Sequence, residues 1–272
     1  MKDRTRRAGD AQTRGGDTSS PRLRVSASAR HARPASPDLR VLLWDIDGTL
    51  VRSARRGVFK DYTTPALLSI FGTAGRLHDL NVSGMTDLQI VCEALRDEGF
   101  TTEQIASRGA ELCEHFVAGF ERMASAGDSL YLALPGAREV LQAVAAHPRY
   151  VSSLLTGNVR GAAYWKLRLV GLADFFRLPG AFGEDSHDRR DLPALAAARI
   201  NSHLRLDLRP AQFVVIGDTP NDIACARHFG ARAVAVATGR TYSAEDLRAC
   251  QPDALLDSLT DAEAVLRVLD GL

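Results

Sequence analysis

The chain has 272 residues, enough for one large domain or a core domain with a small insert. Apolar residues make up 45% and charged residues 25%, and the formal net charge is +1, so composition gives no sign of nucleic acid or an anionic membrane as partner. No apolar run approaches the roughly 20 residues that span a bilayer. The N-terminus has no apolar signal stretch, and the cysteines at 92, 113, 225 and 250 form no C-x-x-C pair, so a zinc site or disulfide framework is not expected. Reduced thiols in a cytoplasmic protein fit this pattern best.

Charge is unevenly spread. Residues 1–40 carry +6 and the remaining 232 carry −5. Residues 1–38 are rich in Arg, Ser, Gly and Ala and nearly devoid of large apolar side chains, which predicts a disordered basic tail. It reads either as a solvated tail or as a basic or targeting arm.

Order is expected from Leu39. The run from Leu39 to Asp47 is almost continuously apolar, the pattern of a strand buried on both faces. Similar runs follow at Tyr150–Leu155, Gln212–Ile216 and Arg232–Ala237, with a short last strand at Ala254–Leu256 and another around Phe182. Helical patterns lie between them at Ala137–Ala146, Arg160–Val170, Leu192–His203 and Asn221–Phe229. This alternation predicts an α/β fold, a parallel sheet covered on both faces. From about 57 to 132 the rhythm breaks, and three helices with no clear strand are expected at Val58–Ile70, Asp87–Glu98 and Thr102–Ala126.

Chemistry is expected at the strand ends. The first strand runs into Asp45-Ile46-Asp47-Gly48-Thr49, and two carboxylates two residues apart on an extended segment project to the same side. Gly48 lets the chain turn just beyond them. In a parallel α/β sheet ligands bind past the carboxyl ends of the strands, and paired acids there call for a cation or a shared proton. Thr156-Gly157-Asn158 ends a second strand, where a hydroxyl and the N–H groups of a helix start form a phosphate cradle or simply a helix cap. Gly217-Asp218-Thr219-Pro220-Asn221-Asp222 ends a third, with oxygen ligands that suit Mg²⁺. Asp222 also fits a capping box with Thr219, and the two roles are compatible.

These three motifs, in this order, resemble those of the haloacid dehalogenase-like (HAD) hydrolase superfamily, over roughly residues 39–271. The likeness is greatest to phosphoglycolate phosphatase-like and phosphoglucomutase-like members, through Val82-Ser-Gly84-Met85-Thr86-Asp87 as well. The resemblance implies a Rossmann-like doubly wound core at 39–56 and 133–272 and a helical cap at 57–132. It implies that Asp45 attacks phosphorus, that Asp47 is the acid and base, and that Thr156, Gly157 and Asn158 bind phosphate. Asp45, the main-chain carbonyl of Asp47, Asp218 and Asp222 would hold Mg²⁺. The usual third-motif Lys is missing; Arg189 and Arg190 stand there, 29 and 28 residues before Asp218, and Arg189 is chosen as the phosphate-binding cation. The second acid, Asp47, favours phosphate transfer over carbon–halogen cleavage, since dehalogenases of the superfamily lack it. Arg52, Thr86, Gln89 and His187 are expected near the leaving group, while Trp44 and Trp165 read as packing residues.

The expected activity is hydrolysis of a small phosphorylated metabolite by a monomer or homodimer. A phosphomutase and a non-catalytic phosphate-binding module are the alternatives.

Overall fold

A computed structural model describes residues 38–125 and 130–272. The tail expected at 1–38 lies outside the described residues, except for Asp38. Five parallel strands form the central sheet in the order β4-β1-β5-β6-β7, with β1 at Arg40–Trp44, β4 at Tyr150–Leu154, β5 at Phe213–Gly217, β6 at Arg232–Val236 and β7 at Ala254–Leu256.

Strand side chains alternate between faces, and the core divides accordingly. Leu42, Trp44, Val214, Ile216, Val234 and Val236 pack on one side of the sheet. Val41, Leu43, Phe213, Val215, Ala233 and Ala235 pack on the other. This two-faced burial is why the strands read as apolar runs without alternation. The first layer takes α5 (Ala137–Ala146), α6 (Arg160–Leu169) and α10 (Ala262–Asp270); the second takes α7 (Leu192–Leu204), α8 (Pro220–Phe229) and α9 (Ala244–Ala249). Trp44 is fully buried and Trp165 stacks on Phe120 with ring centres 4.9 Å apart, so both pack as expected.

The helical insert is present, and two short strands frame it. β2 (Val51–Ser53) pairs antiparallel with β3 (Tyr131–Ala133), Arg52 opposite Leu132. The expectation of no strand up to 132 therefore fails at β3, which the boundary at 132–133 cuts. Three residues with one buried side chain leave too little periodicity to read. Between these strands lie α1 (Val58–Phe71), α2 (Asp87–Ala94), α3 (Thr102–Ser107) and α4 (Gly109–Ser125). The helix expected over Thr102–Ala126 is broken at Arg108, before Gly109, and the one expected to reach Glu98 ends at Ala94 with a 3₁₀ turn behind it. Tyr62, Phe116 and Phe120 form the insert's aromatic centre, with Tyr62 4.1 Å from Phe120 and 5.5 Å from Phe116 between ring centres.

No strand forms around Phe182. A single bridge joins Ala181 to Leu155, and Gly180 then brings the backbone against Leu154, where a Cβ would lie 2.5 Å from its carbonyl oxygen.

Candidate active site

β1 lies between β4 and β5, so the strand order reverses here: the chain runs from β1 out to β4 and then crosses back past β1 to β5. The crevice past the carboxyl ends of such strands is where α/β sheets bind ligands. Here it is a cavity of about 480 Å³ whose lining includes Asp45, Asp47, Thr156, Gly157, Asn158 and Arg189.

Asp45 is 5% exposed, and its main-chain N–H donates to Ile216 O at 2.9 Å. Gly48, at φ 94°, then turns the chain, and a Cβ on it would stand 2.2 Å from Oδ2 of Asp218. Gly239 walls the same carboxylate from another side, with a would-be Cβ at 1.9 Å. At these two positions only a glycine fits against Asp218.

Oxygens of Asp45, Asp218 and Asp222, all buried, lie within 4.8 Å of one another. Arg189 is the cation among them. Its Nη2 donates to Oδ1 of Asp45 at 2.9 Å and to Oδ1 of Asp222 at 2.6 Å. Three carboxylates against one guanidinium leave two negative charges, and hard oxygen ligands with that deficit fit a divalent cation such as Mg²⁺. Burial, followed by the neighbouring carboxylates and opposed by Arg189, lifts the Asp45 carboxyl to about 7. Burial and Asp45 raise Asp218 well above its ordinary range.

Asp222 carries the capping box as well. Its Oδ2 accepts from Thr219 N at 3.0 Å and Thr219 Oγ1 at 2.7 Å, while Oδ1 takes Arg189. Arg190 sits outside the site, 59% exposed and paired with Asp188.

Thr156 is fully buried at the end of β4. Its Oγ1 accepts from Asn158 Nδ2 at 2.8 Å and from Asn158 N at 3.3 Å, which leaves its own O–H to donate. The Asn158 side chain is fully engaged within the protein. Its two amide hydrogens go to Thr156 Oγ1 and to Oδ2 of Asp47 at 2.6 Å, and its Oδ1 accepts from Lys166. The Asp47 carboxylate stands apart from the three-acid group and pairs with Lys166 Nζ at 2.7 Å.

Sequence reasoning missed Lys166, passing over it because it does not occupy the third-motif position. A signal was present. Ala162, Ala163, Lys166 and Leu167 share the buried face of α6, and a lysine on such a face needs partners. Asp87 was missed too. It is 4% exposed, its Oδ2 accepts from Val159 N at 2.7 Å, and its own N–H donates to Gly157 O at 2.7 Å, so α2 is clasped to the Thr156 loop. Burial raises the Asp87 carboxyl to about 7 against the Val159 N–H and Lys166.

The four residues expected near the leaving group do not line this cavity. Arg52 is an exposed β2 residue whose neighbour Ser53 lines it instead. Thr86 caps α2, accepting from Gln89 N at 3.1 Å, while Gln89 and His187 border a second cleft.

The model of the haloacid dehalogenase-like hydrolase family matches residues 42–227, and a HAD-hydrolase-like model matches 193–262. The chain belongs to the haloacid dehalogenase-like hydrolases. This hydrolase is 28% identical over 223 residues to a phosphoglycolate phosphatase of Pectobacterium atrosepticum, covering 82% of this chain and 90% of that one. A hydrolase from Pseudomonas syringae superposes with a TM-score of 0.58 at 23% identity, covering 86% of this chain and 99% of that one. A β-phosphoglucomutase from Clostridium difficile also gives 0.58, at 15% identity with 86% and 98% coverage, and so shares the fold. Among the described residues no helix of this hydrolase is long and apolar enough to cross a membrane, and the four cysteines are unpaired.

Proposed function

We propose that the protein is a Mg²⁺-dependent phosphatase that hydrolyses a small phosphomonoester through an aspartyl-phosphate on Asp45. The observation that carries this reading is the buried Asp45 carboxylate, set in one cavity with a second acid, a hydroxyl donor and a guanidinium. The curated relative named a phosphoglycolate phosphatase supports the same class.

In this reading a carboxylate oxygen of Asp45 bonds to phosphorus as the ester P–O bond breaks, and the leaving oxygen takes a proton from Asp47. Water then attacks phosphorus and gives its proton to Asp47, and the bond to Asp45 breaks to release inorganic phosphate. Arg189 holds Asp45 for attack, and the Thr156 hydroxyl with the N–H groups at Gly157 and Asn158 binds phosphoryl oxygens. The carboxylates of Asp45, Asp218 and Asp222, with the Asp47 carbonyl, would hold Mg²⁺, which when bound supplies positive charge against the phosphoryl group. Residues 39–56 and 133–272 act as the core and 57–132 as a cap that limits the substrate to a small metabolite. The setting is cytoplasmic, with the chain a monomer or homodimer.

The test is phosphate release from p-nitrophenyl phosphate and from a panel of phosphorylated metabolites, with Mg²⁺ and with chelator. Metal-dependent release that Asp45→Asn abolishes supports the reading. Release that survives Asp45→Asn at the wild-type rate sinks it. Isomerisation of a hexose phosphate without net release would favour a mutase instead.

A further inference from the structure

Lys166 is 3% exposed, and the phosphoryl chemistry just described makes no use of it. A buried ammonium is costly unless partners replace its water. Here Nζ donates to Oδ2 of Asp47 at 2.7 Å and to Oδ1 of Asn158 at 2.6 Å. The remaining walls are aromatic: the Tyr131 ring centre is 4.9 Å away and that of Phe120 5.8 Å. Cation–π attraction helps to hold the charge, and the Tyr131 hydroxyl interacts with it as well. Asn158 Nδ2 also reaches Oδ2 of Asp47, so Lys166, Asp47 and Asn158 close a ring in which each touches the other two.

Both donors to Asp47 land on one oxygen. Among the described residues no hydrogen bond reaches its Oδ1. A carboxyl pinned at one oxygen by two donors has its plane fixed, and the other oxygen is left to carry a proton. Lys166 is thus separate from the group around Arg189, where the guanidinium serves Asp45 and Asp222.

We infer that Lys166 is a positioning residue for the acid and base Asp47: with Asn158 it fixes Oδ2 so that Oδ1 exchanges the proton with the leaving oxygen. This rests on the phosphatase reading above. As the ester P–O bond breaks, its electron pair stays on the leaving oxygen, which takes the proton from Oδ1. In the second half the attacking water returns a proton to Oδ1 while its oxygen bonds to phosphorus. Lys166 keeps its own proton throughout. Phe120 belongs to α4, so the helical insert builds part of the wall that holds this cation.

The test uses leaving groups. p-Nitrophenolate departs without a proton, whereas the alkoxide of β-glycerophosphate needs one. In the full chain with Mg²⁺, Lys166→Met is expected to lower kcat/KM on the alkyl ester about 30-fold more than on the aryl ester. Asp47→Asn should show the same bias. The double variant should lose no more than about twofold beyond Asp47→Asn, because Lys166 acts through Asp47. Equal losses on the two esters, or losses that multiply in the double variant, overturn the inference and leave the phosphatase reading standing. A wild type that cleaves neither ester, or Asp47→Asn slowing both equally, overturns both. If Lys166→Met does not fold, Lys166→Gln carries the same comparison.

Discussion

The guanidinium of Arg189 ties the end of the first strand to the start of α8, with one nitrogen, Nη2, 2.9 Å from Oδ1 of Asp45 and 2.6 Å from Oδ1 of Asp222. Residues 144 apart in sequence share a buried charge pair because the short helical turn at Arg189–Asp191 sets the arginine over the carboxyl ends of β1 and β5. Arg189→Met removes the cation and leaves buried carboxylates facing one another. The expected loss of stability is about 3–5 kcal/mol. Urea unfolding without divalent ions measures it, and a loss under about 1 kcal/mol would show the carboxylates to be better solvated than their burial implies.

Asp45→Asn separates chemistry from folding. Phosphate release should fall by at least about 10³-fold, since the amide cannot serve as nucleophile. The melting temperature without metal should hold or rise, because a buried, repelled carboxyl has been replaced by a neutral group of the same shape. Calorimetry beside the phosphate assay reads both.

Divalent cation should stabilise the wild type. At a concentration about 100 times its dissociation constant, Mg²⁺ adds about 2.7 kcal/mol to the folded state. Asp218→Asn should erase most of that gain. An unchanged melting temperature for the wild type in millimolar Mg²⁺ would refute cation binding by the three acids.

Asp87 gives a pH dependence with a definite sign. Its folded value, raised from 3.8 to about 7, means the folded state holds this proton more tightly than the unfolded state. The stabilising contribution is full below about pH 4 and is lost as pH rises through about 7. Asp87→Asn keeps an oxygen for the Val159 N–H and cannot ionise. The melting temperature of the wild type relative to Asp87→Asn should therefore fall between pH 5 and pH 8, and a flat difference would contradict the burial effect.

Much of this was legible in the chain itself. Asp45 and Asp218 could be placed together because each follows a strand whose apolar run is plain, and strand ends of a parallel sheet converge; Asp222 lies four residues on, in the first turn of α8. Arg189 was chosen to stand where the resemblance expects the third-motif Lys, and the structure sets it among the acids. What could not be read depends on contacts across layers. Lys166 acquires a role only when α6 turns it toward Asp47, a meeting of residues 119 apart. Asp87, which the sequence offers as the end of the Val82–Asp87 segment, gains its partners when α2 docks on the Thr156 loop. β2 and β3 are too short to show a period, and their pairing bridges 78 positions from Ser53 to Tyr131.

That pairing has a further result. The segment between β2 and β3 departs and returns through hydrogen-bonded neighbours, with Ala54 N donating to Leu130 O at 2.8 Å and Leu134 N to Leu50 O at 2.9 Å. Its two ends are already stitched together, so another module could be spliced in there without re-threading the five-stranded sheet. Such a graft would replace the part of the cavity wall that Phe59, Val82 and Met85 supply while keeping Asp45, Asp218 and Asp222 in place, although the ring of Phe120 beside Lys166 would have to be supplied anew.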